Sequence, residues 1–347
     1  VTDLQLWLSA DANGTTTTDG ATVSAWVNRT GSGENFSGAS GTPSYEDDSN
    51  NLFNFNPVVY FDGDNEFLSN GTTNFGLTGI GAEVFSVTSA IKGIPGNGYN
   101  VHGIFGPNAI GTDGGLEYGF IEQIPKGIRL KRFNGPNMFR QDITIDAPYI
   151  TSVSRNGTTS VASLSVNGAR TSYGAIDTDN FNSSSRYYVG AIHANGLLNA
   201  NLPELIVYNR ELSTVERNKV ETYLAIKYGF SLDQTSTKDY LASDGSTVWD
   251  ASNNTGYTTD IFGVGRDDDS GLNQRVSKSV NDGTILTLAL DANFTAANND
   301  AARTTGHAND VQFLIVANNG AVTDTQTTEL DASTNFNLRL AREWKAD

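Results

Sequence analysis

Residues 159–171 read TSVASLSVNGART. Apolar and small polar residues alternate up to Val166, then Asn167-Gly168 intervenes and the chain sets off again. A period of two puts successive side chains on opposite faces of a strand. Asn-Gly accepts positive φ, so it closes a type I′ turn between antiparallel strands. The same grammar recurs on both sides. Asn-Gly stands at Asn13, Asn70, Asn97, Asn134, Asn156, Asn195 and Asn319, and Asp-Gly at Asp19, Asp62, Asp113, Asp244 and Asp282. Between these turns lie short apolar runs: PVVYFDG (57–63), AEVFSVTSAI (82–91), GIRLKRF (127–133), RYYVGAI (186–192) and PELIVYN (203–209). Many short strands with regular turn signals predict an all-β antiparallel sandwich.

One stretch departs from this pattern. ELIVYNRELSTVERNKVETYLAIKYG (204–229) carries a single helix. Ser213 and Glu216 form a capping box, and Val220, Tyr223, Leu224 and Tyr228 lie on one apolar stripe. Lys227 suits the negative end of the helix dipole, and Gly229 suits a left-handed stop. The stripe predicts a structural helix that closes one end of the sandwich. After Gly229 the chain turns polar, then resumes with IFGVG, TILTLAL, VQFLIVANN and FNLRLAREW. A boundary near 230 follows: residues 1–230 as one β-domain, and residues 231–347 as a second, smaller β-sandwich whose C-terminal end can be incomplete.

The chain has 347 residues, which suits about two domains. A net charge of −17 repels phosphate backbones and argues against a nucleic-acid partner. The absence of Cys excludes disulfides, thiolate metal sites and a Cys nucleophile. No run of about 18 apolar residues predicts membrane insertion, and no signal peptide opens the chain. A mature fragment or an excised part of a longer chain is expected.

Three segments carry a family resemblance. LQLWLSADAN (4–13), DGATVSAWVNRTGSGENF (19–36) and NPVVYFDGDNEFL (56–68) resemble the opening of laminin-G-like, concanavalin-A-like jelly rolls of large bacterial surface proteins. Residues 204–229 resemble the end of the same domain. YLASDGSTVWDASNNTGYTTDIFGVGRDDDSGLNQRVSKS (240–279) is similar to the companion domain that follows it in secreted Bacteroidetes-type proteins. Two positions depart from the pattern: Asn28 replaces its usual Asp, and Asp62–Leu68 reads DGDNEFL. The resemblance implies a non-catalytic module of a secreted or cell-surface bacterial protein. Such a module would bind glycans or surfaces in adhesion, beside other domains of a longer chain. A structural stalk or filament segment is the alternative, and a polysaccharide-active enzyme the second.

Hydrolysis needs two carboxylates flanking the scissile bond. Glu117 and Glu122 are five apart and would face opposite sides of a strand. His102, His193 and His307 read as loop or surface residues, and no G-x-S-x-G, HExxH or CxxC occurs. Calcium, held by oxygen ligands alone, is the candidate cofactor. Its expected ligands are Asp62, Asp64 and Asn65 at one strand end, and Asp267 and Asp269 in the second domain. An EF-hand is rejected, because Lys278 stands where the bidentate Glu belongs. Sugar binding calls for exposed aromatics beside amides. Tyr99, Phe133 and Asn134 are the candidates. Tyr118 and the four Trp residues are expected in the core.

Overall fold

The computed structural model describes residues 1–71, 74–89, 101–108, 114–121, 127–140, 143, 147–175, 177–181, 186–327 and 339–347. The chain divides into two compact units, Val1–Arg217 and Asn218–Asp347.

Among the described residues two large antiparallel sheets build the first unit. One runs Ala169–Ser172, Ala162–Val166, Tyr149–Arg155, Ala82–Ser89, Asn199–Tyr208, Val58–Asp62, Ser44–Glu46, with Leu4–Ser9 also paired to Asn199–Tyr208. The other runs Asn137–Arg140, Gly127–Arg132, Leu116–Ile121, Val101–Pro107, Tyr187–Val189, Phe67–Ser69, Phe36–Ser40, Ala25–Trp26. The hairpin at 159–171 forms as its sequence predicts. Val166 pairs with Ala169, and Asn167 and Gly168 take φ of 47° and 81°. Alternate residues from both sheets fill the space between them. Val84, Val153, Leu164 and Leu205 come from the first sheet, and Ile104, Phe105, Leu116, Ile128 and Leu130 from the second.

Tyr118 crosses this core, as its alternation predicts. Its hydroxyl meets Ser86 Oγ at 2.7 Å and Thr151 Oγ1 on the opposite sheet. Burial pushes the phenol up to about 12, so the hydroxyl keeps its proton for these bonds. Trp26 and Trp249 are buried, but Trp7 and Trp344 are only half-buried. Trp7 lies on the outward side of its strand, between the core residues Leu6 and Leu8. Its ring carries the Arg29 guanidinium 3.9 Å above it, and its Nε1 donates to Glu204 at 2.5 Å.

The helix spans Thr214–Tyr228, and its capping box is reciprocal. Ser213 N donates to Glu216 Oε2 at 2.9 Å, and Glu216 N to Ser213 Oγ at 3.3 Å. Gly229 ends it at φ 73°. The division of the chain falls inside this helix rather than after it. Its first turn belongs to the first unit, where Arg217 forks onto buried Glu83 at 2.5 and 3.1 Å. Its remaining turns belong to the second unit. There Asn218 donates to Asp239 O, Lys219 to Ser243 O, and Lys238 to Glu221.

The second unit centres on a four-stranded sheet, in the order Leu272–Gln274, Thr259–Asp267, Gln312–Asn318, Trp344–Ala346. Among the described residues three two-stranded ribbons accompany it. Trp249, Ile261, Phe262, Val264 and Ile315 are among its buried residues.

Candidate functional site

The second sheet of the first unit is covered on part of its outer face. Along Val101–Pro107 and Leu116–Ile121 every residue is buried, so both faces of these strands are occupied. The cover is a hairpin, Ala191–Ile192 paired with Gly196–Leu197. Glycine makes its seat. A Cβ on Gly103 would lie 2.4 Å from Ile192 N and 2.7 Å from Gly196 O, and one on Gly106 would lie 2.6 Å from Ile192 Cγ1. Glycine inside a strand marks such a close approach.

The turn of this hairpin is unusual. Asn195 N donates to Ile192 O at 3.2 Å, which places His193 and Ala194 at the central positions. Their φ values are 53° and 56°, those of a type I′ turn. Asn195-Gly196, the expected turn, sits two positions too late because the pairing of Ile192 with Gly196 fixes the register. Two consecutive left-handed residues other than glycine store about 1–3 kcal/mol each.

That turn delivers His193 to the sheet. His193 is 6% exposed, and its Nε2 stands 2.8 Å from Glu117 Oε1. Glu117 Oε2 accepts from Arg129 Nη2. Gly119, opposite Arg129, contributes no side chain to this face. Burial holds the Arg129 guanidinium below its usual range, opposed by the Glu117 charge. Neither His193 Nδ1 nor Arg129 Nε has a hydrogen-bond partner among the described residues. The expectation that the histidines lie in loops or at the surface is corrected for His102 alone; His193 and His307 do lie in loops, although His193 is buried there. His102 is 1% exposed within a strand, and His193 is buried under its own hairpin. Only His307 is half-buried, with Nε2 3.2 Å from Gln274 O.

His193 meets one of the aromatics singled out in the sequence. Phe133 packs edge-on against the imidazole, with centroids 4.9 Å apart and planes at 73°. Phe133 is half-buried and Asn134 exposed, in the tight turn after Gly127–Arg132. Asn134 takes φ 62°, and Gly135 N donates to Arg132 O at 2.8 Å. Lys131 Nζ lies 5.9 Å from the Phe133 ring centre. The other flank of the turn is fixed by Arg132, which pairs with Asp177 at 2.9 Å and Asp179 at 2.7 Å. A Cβ on Gly135 would stand 2.3 Å from Asp177 Oδ2, so a larger residue there would have to displace that carboxylate. Arg155, wholly buried, pins that segment in turn. It donates to Asp179 O and Ile80 O at 2.7 Å each and lies 3.7 Å over Phe181. Burial draws its guanidinium down to about 10.

The remaining sequence candidates lie elsewhere. Tyr99 and Glu122 fall outside the described residues. Asp62 and Asp64 are exposed, and Asp64 N donates to Asp62 Oδ1 at 2.8 Å in an Asx turn. Asn65 is exposed beside them. Asp267 is buried and caps a short 3₁₀ turn. Its carboxylate accepts from Ser243 N at 2.8 Å, Ser243 Oγ at 2.5 Å and Ser270 N at 3.3 Å. Asp269 is exposed, and Asp268 beside it is forked by Arg266. Among the described residues no three His, Cys, Asp or Glu side chains converge as a metal site.

A family described as a domain of unknown function (DUF8202) matches residues 216–347, from the helix onward. No curated protein matches the sequence. Among solved structures, domain 4 of the extracellular arabinanase AbnA from Geobacillus stearothermophilus, in complex with arabinotriose, is 15% identical. The match covers 61% of this chain and 94% of that one, with a TM-score of 0.42. The receptor-binding domain of botulinum neurotoxin C/D mosaic serotype is 12% identical over 65% of this chain and 52% of that one, with a TM-score of 0.47. Trypanosoma rangeli sialidase, in complex with the inhibitor DANA, is 13% identical over 60% of this chain and 31% of that one, with a TM-score of 0.40. Among the described residues no helix is long and apolar enough to cross a membrane.

Proposed function

We propose that the first unit is a carbohydrate-binding module of a secreted or cell-surface bacterial protein, acting in adhesion rather than catalysis. The observation that carries this reading is the mounting of Phe133. A partly exposed aromatic ring packs on the His193 of a buried His–Glu–Arg triad, and the turn that carries it is held by Arg132 and its two aspartates. Binding constellations work when their contact residues are locked by a supporting shell. A rigid ring offers an apolar face to the C–H face of a sugar, and Asn134 and Lys131 stand beside it to meet hydroxyls.

The carboxylates around this turn support binding over hydrolysis. Glu117 is engaged through both oxygens, and Asp177 and Asp179 are held by Arg132. A glycosidase needs one carboxyl group able to donate a proton and another poised across the bond. These three are committed to holding the turn.

The test is a glycan array probed with the full chain, followed by calorimetry on any hit with Phe133→Ala and Phe133→Trp. Binding is expected in the wild type, loss in the alanine variant and retention in the tryptophan variant. A hit that ignores Phe133 moves the site elsewhere. Silence across the array favours the stalk alternative.

A further inference from the structure

Resting on the sugar-binding reading, His193 narrows the class of ligand. Its Nε2 faces Glu117, and a carboxylate only accepts, so in the neutral ring the proton sits on Nε2. Nδ1 is then a bare lone pair, buried and without a partner among the described residues. Buried polar atoms are almost always satisfied, and an exception calls for a missing ligand or water. The ring that carries this lone pair is the one that braces Phe133.

We infer that His193 Nδ1 accepts a hydrogen bond from a ligand hydroxyl seated beside Phe133, so that the site selects neutral sugars over carboxylated ones. A lone pair needs a donor, which a sugar hydroxyl is and an ionised carboxylate is not. Nδ1 is buried, so a ligand would reach it by displacing the tip of the hairpin, where Ala194 and Asn195 are exposed.

A charged ring would carry a donor at Nδ1 instead of an acceptor, which removes the preference. The charged groups around the ring are Glu117 and Arg129 beneath it and Lys131 across Phe133.

The experiment pairs neutral oligosaccharides with counterparts whose terminal primary alcohol is oxidised to a carboxylate. Affinities are measured on the full chain by calorimetry across a pH series, while ring signals in NMR report the charge of His193. The neutral member is expected to bind at least about tenfold tighter while His193 is neutral, with the gap closing as His193 protonates. Three outcomes overturn the inference and leave sugar binding intact: equal affinities, an acidic preference while the ring is neutral, or a preference that does not follow the His193 titration. A complex showing only water at Nδ1 does the same. If neither member of any pair binds at any pH, the sugar-binding reading itself fails.

Discussion

The imidazole of His193 stands edge-on to the ring of Phe133, 4.9 Å between centroids, although 60 residues separate the two in sequence (193 − 133). The contact joins a turn of the sheet to the hairpin that covers it. Removing the Phe133 ring should therefore affect binding more than folding. Phe133→Ala is expected to destabilise the chain by about 1–2 kcal/mol, below the 3–5 typical of a fully buried Phe, because the ring is half-exposed. Glycan affinity should fall tenfold or more. Equal losses of Tm and affinity across a series of substitutions at 133 would reduce the ring to packing.

Glu117 accepts from two partners, and its loss leaves Arg129 buried and uncompensated. Glu117→Gln is expected to destabilise the first unit by about 3–5 kcal/mol in chemical denaturation. The double variant Glu117→Leu/Arg129→Leu should recover most of that stability, because it removes both charges. It should not recover glycan binding, since His193 then has nothing to hold it. A double variant that binds as the wild type does would strike the triad from the site.

Gly103 is where the hairpin touches the sheet most closely. The nearest atoms to an added Cβ are backbone, Ile192 N and Ala191 C at 2.4 and 2.5 Å, and these cannot rotate aside. Gly103→Ala should lift the hairpin, at about 1–3 kcal/mol. Hydrogen exchange should show faster exchange at Ile192, Gly196 and Leu197, with the strands at Ala82–Ser89 and Tyr149–Arg155 unchanged. Uniformly faster exchange would mean the seat is part of the general core.

The sequence conveyed the sheets better than the site, for a physical reason. Alternation and Asn-Gly turns are local signals, and they placed the hairpin at 159–171, the inward Tyr118 and the capped helix. The burial of His193, Glu117 and Arg129 depends on a second layer over the sheet, which no local pattern announces. One signal was present. Gly103, Gly106 and Gly119 interrupt strands where β-branched residues would be expected, and such glycines mark close backbone approach. Phe133 and Asn134 were legible as a polar turn holding an aromatic, but their bracing by Arg132 and His193 was not. Trp7 looked like core because its neighbours Leu6 and Leu8 are core, yet the period of two turns it outward.

Calcium, expected from Asp62, Asp64, Asn65, Asp267 and Asp269, has a direct test in metal removal. Asp267 accepts from Ser243 and Ser270, and Asp62 Oδ1 accepts from Asp64 N within its own turn. Excess chelator should leave the melting temperature where it was. A ligand that binds only the folded state at a hundredfold excess over Kd adds about 2.7 kcal/mol, several degrees for a domain of this size. A rise of that order on adding calcium, abolished by Asp62→Asn/Asp64→Asn, would restore the ion to the first of these turns.

Glu66 gives a pH dependence with a definite sign. Its carboxyl is raised to about 7, chiefly by burial and further by the nearby Asp62 charge, against the Asp62 N–H that donates to it at 2.9 Å. In the unfolded chain the same group ionises near 4.5. Below that value both states hold the proton, and Glu66 carries no penalty. Between about 4.5 and 7 the unfolded state releases its proton first, so the native state binds more protons and stability falls as pH rises. Above 7 both states are ionised and the full penalty remains. The side chain is only partly buried, so screening leaves that penalty near 1 kcal/mol rather than the full value of the shift. Glu66→Gln keeps the acceptor for Asp62 N–H and has no charge to desolvate. Its melting temperature should match the wild type at pH 4, pull ahead through pH 7 and stay ahead by a constant margin above it. Parallel curves for the two proteins from pH 4 to 8 would place the Glu66 carboxylate in ordinary contact with water.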